Sequence, residues 1–278
     1  MPIHDQGYRR YAESRVRGRG WWVIARAGLM ERLRERRFLA LMLLAWIPFM
    51  VRAVQVYASA NFTQLAFLTP DAGTFREFLD QQSLFLFFIT IYSGSGLIAA
   101  DRRANALQVY LSKPITRSDY VAGKLLILAI ILLAASWLPA IALLSLQAIF
   151  SGSAASIRGN AALMPAITLF CLIEVLASCL AMLALSSLSK SRRFVAVMYA
   201  GIVFFAPAMS QVLRQVTGSA AWAWLSPENV FDALSGAIFQ LPSGTSLSAG
   251  GAAIALVGLC AASILILERR VRPVDVVT

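Results

Sequence analysis

The chain has 278 residues, of which 59% are hydrophobic and 14% charged, with a formal net charge of +11. Soluble domains carry about a quarter charged residues, so this composition belongs to a membrane protein and excludes an ordinary soluble domain. The basic residues are mostly Arg flanking apolar runs, with no basic groove interleaved with aromatics, so nucleic acid is not an expected partner.

Residues 1–37 hold ten Arg against four acids. Residues 1–18 read as a solvated basic tail. From residue 21 to 37, Trp22, Val23, Ala27, Met30 and Leu33 share a helical face, while Glu31, Arg32, Glu35 and Arg36 lie off it. An Arg-rich helix with Trp on its apolar side is expected to lie in the membrane interface, against lipid. Six apolar runs follow, at about 38–58, 83–100, 125–150, 164–188, 194–213 and 249–267. Each is long enough to cross a hydrocarbon core of ~30 Å. The first begins only near Phe38, so a cleaved signal peptide is not expected. With the N-terminus inside, 21 of the 25 Lys and Arg residues fall on the inner side. The positive-inside rule therefore places both termini in the cytoplasm. The organisation predicted is a tail and interfacial helix over 1–37 and one six-span domain over 38–278.

The loops carry structure of their own. Residues 71–82 predict an outer-loop helix capped by Asp71 or Thr74, with Phe75, Phe78 and Leu79 on one side. In the longer loop 215–248, Ser226, Pro227 and Glu228 read as N-cap, first helical Pro and acidic first turn. Val230, Phe231, Leu234, Ile238 and Leu241 then make an apolar stripe that ends before Pro242, so a short helix is expected on the outer surface or dipping into it. Ser93–Gly94–Ser95–Gly96 permits close helix approach, and Pro48, Pro139 and Pro207 are expected to break their spans. Arg52 and Arg214 read as side chains snorkelling to the outer surface, with substrate contact the alternative for Arg52.

No catalytic constellation emerges. The one His is His4, and Cys171, Cys179 and Cys260 all fall inside apolar runs, where Cys is a packing residue. Residues 118–125, SDYVAGKL, lack the first Gly and the final Ser/Thr of a phosphate-binding loop, so this chain is not expected to hydrolyse ATP. Glu174 is the one carboxylate in the middle of a span. A charge there costs roughly 2–4 kcal/mol on insertion scales. It reads either as a pathway-lining or proton-exchanging group, or as a protonated Glu hydrogen-bonded across a helix or subunit interface.

The stretch 101–124, DRRANALQVYLSKPITRSDYVAGK, is a polar interruption between two apolar runs. Ala104, Leu107, Tyr110 and Leu111 recur at i, i+3, i+6 and i+7, one face of a helix, with Arg103, Asn105 and Gln108 elsewhere. Pro114 stops that helix, and a second start is expected near Ser118. The pattern resembles the first cytoplasmic loop of ABC type-2 transporter permeases. There an acid closes the second span, a short helix follows, and a Ser-x-Pro turn leads to a Gly-Lys pair opening the third. The matching residues are Asp101, Leu107, Leu111, Ser112, Pro114, Ile115, Arg117, Tyr120, Gly123 and Lys124. The departures are Asp101 where Glu is frequent and Ala104–Asn105 where Gly–Thr or Gly–Ser often sits.

The resemblance implies an all-α membrane protein of six spans with an N-terminal elbow helix, a cytoplasmic coupling helix and short outer helices between spans five and six. It also implies a bacterial inner-membrane exporter, in which a second permease copy or paralogue and separate ATPase subunits complete the complex. ATP and Mg²⁺ are then bound by the ATPase, and this chain holds no cofactor. Asp101, Arg102, Arg103, Ala104, Leu107, Tyr110, Leu111, Pro114 and Arg117 are implied to meet the ATPase, the three Arg being equally explained by positive-inside topology. Three other classes stand beside this reading. A polytopic enzyme needs more polar groups than Glu174. A secondary transporter needs inverted repeats that are not visible. A scaffold bound to an ATPase has no distinguishing residue.

Overall fold

Among the described residues, six helices are long and apolar enough to cross a membrane: Arg36–Asn61, Ala72–Arg103, Arg117–Phe150, Leu163–Leu188, Arg192–Thr217 and Ala249–Arg270. Without water to accept or donate, an apolar segment must pair its own backbone groups, and a helix does so completely. The computed structural model describes residues 20–62, 64, 69–106, 116–151 and 162–271, and these form helices and turns with no strand. The architecture is the all-α, multi-pass bundle expected.

Helix α1 (Gly20–Arg34) precedes the first span, which is built from α2 (Arg36–Ala45) and α3 (Ile47–Asn61). The second span is α4 (Ala72–Gly94) plus the short α5 (Ala99–Arg103), and the third is α6 (Arg117–Ala135) plus α7 (Trp137–Ser151). Spans four and five are the unbroken α8 (Leu163–Leu188) and α9 (Arg192–Thr217). A 3₁₀ turn (Ala220–Leu225) and α10 (Pro227–Phe239) come next, and α11 (Ala249–Arg270) is the sixth span.

Helix α1 uses two faces. The stripe read from the sequence, Trp22, Val23, Met30 and Leu33, is exposed, as an interfacial helix requires. The docking face is different: Ala25 is buried, and Ile24 and Gly28 lie against the third span. A Cβ on Gly28 would fall 2.3 Å from Ile127 Cδ1, and one on Gly123 would fall 2.9 Å from both Ile24 Cβ and Trp21 O. Gly123 thus lets the α6 backbone approach that of α1, and Gly28 makes room for the Ile127 side chain.

Pro48 and Pro139 break their spans as expected, at Trp46 and Ser136. Pro207 does not, because α9 runs through it. Pro139 has no N–H for the carbonyl of Ala135 four residues earlier. The side chain of Gln82, fully buried on α4, supplies the missing donor. The same Nε2 reaches Ala45 O, at the break in the first span, at 2.8 Å. One amide thus joins the second span to the kinks of its two neighbours.

The helix expected over 71–82 is not a separate outer element. It is the opening of α4, which continues unbroken to Gly94. Its cap is as predicted: Thr74 N donates to Asp71 Oδ1 at 2.8 Å and Asp71 N to Thr74 Oγ1 at 3.3 Å. Donation to Asp71 Oδ1 from Thr74 N and from Thr74 Oγ1, the latter at 2.9 Å, holds the carboxyl below its ordinary range. The polar residues that masked the span in the sequence have partners. Arg76 pairs with Asp232 and donates to Pro242 O at 2.8 Å, and Glu77 pairs with Arg52 at 3.1 Å.

The second and fourth spans form the interior: 61% and 56% of their most apolar stretches are buried, against 11% for the first and 17% each for the fifth and sixth. Gly94 makes their contact possible, since a Cβ there would meet Met182 Cγ at 2.5 Å. One core, around Phe38, Ile98, Tyr120, Leu128, Leu183 and Val271, fills the end that carries the basic loops. A second, around Phe75, Phe78, Leu143, Ile167, Phe170 and Phe239, fills the opposite end. There α10 is capped as predicted, by Ser226 accepting from Asn229 N at 3.3 Å. It buries Val230 and Leu234 and sets Phe231 and Phe239 edge-on to Phe170.

Candidate functional site

At the basic end the stretch 101–124 is closed at its base. The helix expected to start near Ser118 begins at Arg117 with Thr116 as its cap: Asp119 N donates to Thr116 Oγ1 at 3.1 Å and Thr116 N to Asp119 Oδ2 at 3.3 Å. In α6, Tyr120 and Lys124 stand four residues apart and so share a face. Both reach the carboxylate that α5 presents. Tyr120 OH donates to Asp101 Oδ2 at 2.7 Å, and Lys124 Nζ lies 2.8 Å from the same oxygen. The ammonium is also 5.6 Å from the centroid of the Tyr120 ring. Tyr120 is fully buried and Lys124 nearly so. A charge withdrawn from water this far requires a partner, and Asp101 is that partner.

The clasp continues sideways into the fourth and fifth spans. Arg102 donates to Ser187 O, and Arg103 Nε to Lys190 O at 3.2 Å. These carbonyls lie at and just beyond the end of α8, where backbone acceptors lack helical donors. Ser186 Oγ accepts from Ile98 N and Ala99 N at 3.1 and 3.0 Å and donates to Ser95 O at 3.1 Å. It thereby satisfies the backbone where α4 gives way to α5. Arg192 lies over the Tyr92 ring, 5.4 Å from its centroid, and donates to Tyr92 O at 2.5 Å and Ser95 Oγ at 3.3 Å. Tyr92 OH donates to Glu35 at 2.9 Å, and Glu35 pairs with Arg32 of α1 at 3.0 Å. A polar seam therefore runs from α1 through the second span to the turn between spans four and five. A cavity of about 490 Å³ opens beside it, between α1 and the clasp.

The residues singled out in the sequence fall in different places. Asp101 is the centre of the clasp. Arg102 and Arg103 point to the turn after α8. Ala104 closes α5, its N–H donating to Ala100 O at 3.0 Å. Asn105 then takes a left-handed turn with φ 51°, which Asn tolerates better than most residues. Arg117 is the exposed first residue of α6. Leu107, Tyr110, Leu111 and Pro114 lie outside the described residues, as does the helix expected there. Ser186, Tyr92 and Arg192 were not picked out: an apolar span ending in Ser–Ser and an Arg at a helix start give no local sign of what they bond.

Glu174 lies apart from this seam, at the middle of α8. It is 7% exposed, and its Oε2 has no hydrogen-bond partner among the described residues. None of the ion pairs among the described residues includes it. Tyr199 of the fifth span sits beside Ser178, one turn along α8 from Glu174, and beside Thr90 of the second span.

Among curated proteins none matches the sequence. A family model does, that of the ABC-2 family transporter proteins, over residues 22–268. The match runs from α1 into the last turn of the sixth span and takes in every residue of the clasp. Six membrane helices, the acid-to-Gly-Lys stretch closed by Asp101 and Lys124, and this match agree: the chain belongs to the ABC-2 family of transporter proteins and is a membrane permease component.

Proposed function

We propose that this chain is the permease half of an ATP-driven exporter, with the basic end in the cytoplasm and ATP and Mg²⁺ held by a separate ATPase subunit. The observation that carries the reading is the clasp: Asp101 bonds both Tyr120 and Lys124, so the two ends of the 101–124 stretch are one mechanical unit. Arg102 and Ser186 join that unit to the fourth span. A push on residues 104–117 by a closing ATPase would then reach the second, third and fourth spans together. The cavity beside the clasp leaves α1 room to shift as they move. The outward-facing first, fifth and sixth spans are the surfaces offered to lipid and to a second permease copy or paralogue. Location in a bacterial inner membrane with both termini cytoplasmic follows from the same reading and from the 21 of 25 basic residues on that side.

The unpaired carboxyl of Glu174 favours a second reading, transport without ATP. One pull-down separates the two. The chain, tagged and expressed with its neighbouring genes, is purified in mild detergent and its companions are identified by mass spectrometry. A stoichiometric ATPase with a phosphate-binding loop is the expected result. Recovery of the chain with no ATPase would overturn the proposal in favour of the ATP-independent transporter.

A further inference from the structure

We propose that Glu174, with the aromatic side chains of Phe87, Tyr199 and Phe204, forms a membrane-embedded binding site for a lipophilic organic cation. This names a cargo class for the proposed exporter and rests on that reading for its biological meaning. The binding chemistry itself stands on this chain alone.

The first observation is an acceptor without a donor. Glu174 Oε2 is buried and unpartnered among the described residues, in a segment where an ionisable group is expensive to place. The described bases of the spans pair elsewhere or, as Arg117, Arg193, Arg214, Arg269 and Arg270 do, stand in the first or last turns of their helices. Arg52 and Arg76 are tied to Glu77 and Asp232 at the end opposite the clasp. Lys124 and Arg192 belong to the clasp and its seam. What the site lacks is a positive charge, and an anionic cargo would be repelled by Glu174 and by Asp80 of the second span together.

The second observation is what surrounds the carboxyl. Gly94 packs on Met182, and Glu174 lies about two turns, or about 12 Å, along α8 from that contact. The second span runs alongside in the same direction, which brings Glu174 level with Leu86 and Phe87. Phe87 stacks on Tyr199 with centroids 5.9 Å apart and meets Phe204 edge-on at 5.0 Å. Tyr199 sits beside Ser178, one turn along α8 from Glu174, and shares one packed core with Phe87 and Val175. Ring faces attract cations, most strongly where water is excluded, and a carboxylate one turn from such rings suits a large, weakly hydrated cation. Phe204 is 60% exposed and Phe88, edge-on to Phe87 at 5.2 Å, is 49% exposed. The aromatic group therefore extends from the core beside α8 to the outer face of the bundle, a route by which a membrane-dissolved cation can arrive sideways.

The full-length chain is placed in phosphatidylcholine nanodiscs and titrated with ethidium, followed by its fluorescence. Saturable binding displaced by tetraphenylphosphonium is expected, with Glu174→Gln weakening ethidium by about tenfold or more and Glu174→Asp keeping most of the affinity. The anionic dye anilinonaphthalene sulfonate is expected to bind both variants and the native chain alike. Equal ethidium affinity in Glu174→Gln, or an equal loss of the anionic dye, overturns the site. A second measurement uses only the native chain, so it holds even if the variants fail to fold. Labelling of Glu174 by dicyclohexylcarbodiimide, read by mass spectrometry, is expected to slow severalfold with saturating tetraphenylphosphonium, and an unchanged rate overturns the proposal. Neither assay involves the ATPase, so losing this site leaves the pull-down result untouched, and an absent ATPase leaves the binding result untouched.

Discussion

Replacing Asp101 by Ala is expected to destabilise the purified chain by about 3 kcal/mol or more and to uncouple ATP hydrolysis from movement in the proposed complex. The pair it breaks is sheltered: the side chains of Lys124 and Asp101 are 11% and 18% exposed, with 2.8 Å between Nζ and Oδ2. Removing one member leaves an ammonium with no counter-charge beside the fully buried Tyr120 ring, whose hydroxyl also loses its bond to Asp101. Replacing both ions by apolar residues of similar size, as in Asp101→Leu with Lys124→Met, is expected to recover most of the stability. On the proposed mechanism it does not recover coupling, since the two ends of the 101–124 stretch are then joined only by soft packing. Thermal unfolding in detergent measures the first effect, and ATP turnover by the purified complex measures the second. A single variant as stable as the native chain would reduce the clasp to an ordinary surface pair.

The second large effect is expected at Gln82. Its amide donates to Ala135 O and Ala45 O, at the breaks in the third and first spans. Changing it to Ala leaves Ala135 O, already deprived of a donor by Pro139, buried and unpaired. A loss of about 1–3 kcal/mol follows from that group alone. The cause can be isolated with Pro139→Ala, which returns an N–H to the helix. In that background Gln82→Ala is expected to cost clearly less, a non-additivity of about 1 kcal/mol or more between the two changes. Strictly additive unfolding free energies would show that Gln82 packs at the kink without repairing it.

The six spans were legible because hydropathy is a local property: each run carries its own apolar length, and its caps and prolines lie in the same few residues. Asp71, Ser226, Pro48 and Pro139 all act as their sequence context suggests. The miss at the second span has a physical origin. Arg76, Glu77 and Gln82 lower the hydropathy of α4, yet each is matched by a group far away in sequence: Asp232, Arg52 and the carbonyls of Ala45 and Ala135. Such matching is tertiary and leaves no periodic trace. Pro207 misled for the opposite reason, since a proline marks a weak point in a helix but neighbouring packing decides whether it bends. The docking face of α1 was hidden because it depends on Gly28 and Gly123, which contribute absence of side chain, and not on the apolar stripe, which faces outward. Within the site, Asp101, Tyr120, Gly123 and Lys124 were visible only as a family pattern. Spacing alone could not say that a carboxylate and an ammonium 23 residues apart in sequence share one oxygen contact. Ser186 and Arg192 gave no signal beyond a polar end to a span and a topology-setting charge.

The central claim is that the motor attaches through the segment between Ala104 and Arg117. It is tested most directly by measuring how much ATPase co-purifies with Leu107→Asp/Leu111→Asp and, as a control, with Met30→Asp/Leu33→Asp on the outward face of α1. In each pair two large apolar side chains at helical spacing in the sequence become carboxylates, so both burden folding and membrane association similarly. The account predicts that the first pair loses the ATPase almost completely while the chain remains folded, and that the second keeps it. An ATPase retained at native stoichiometry by the Leu107 and Leu111 variant, or lost equally from both, would contradict it.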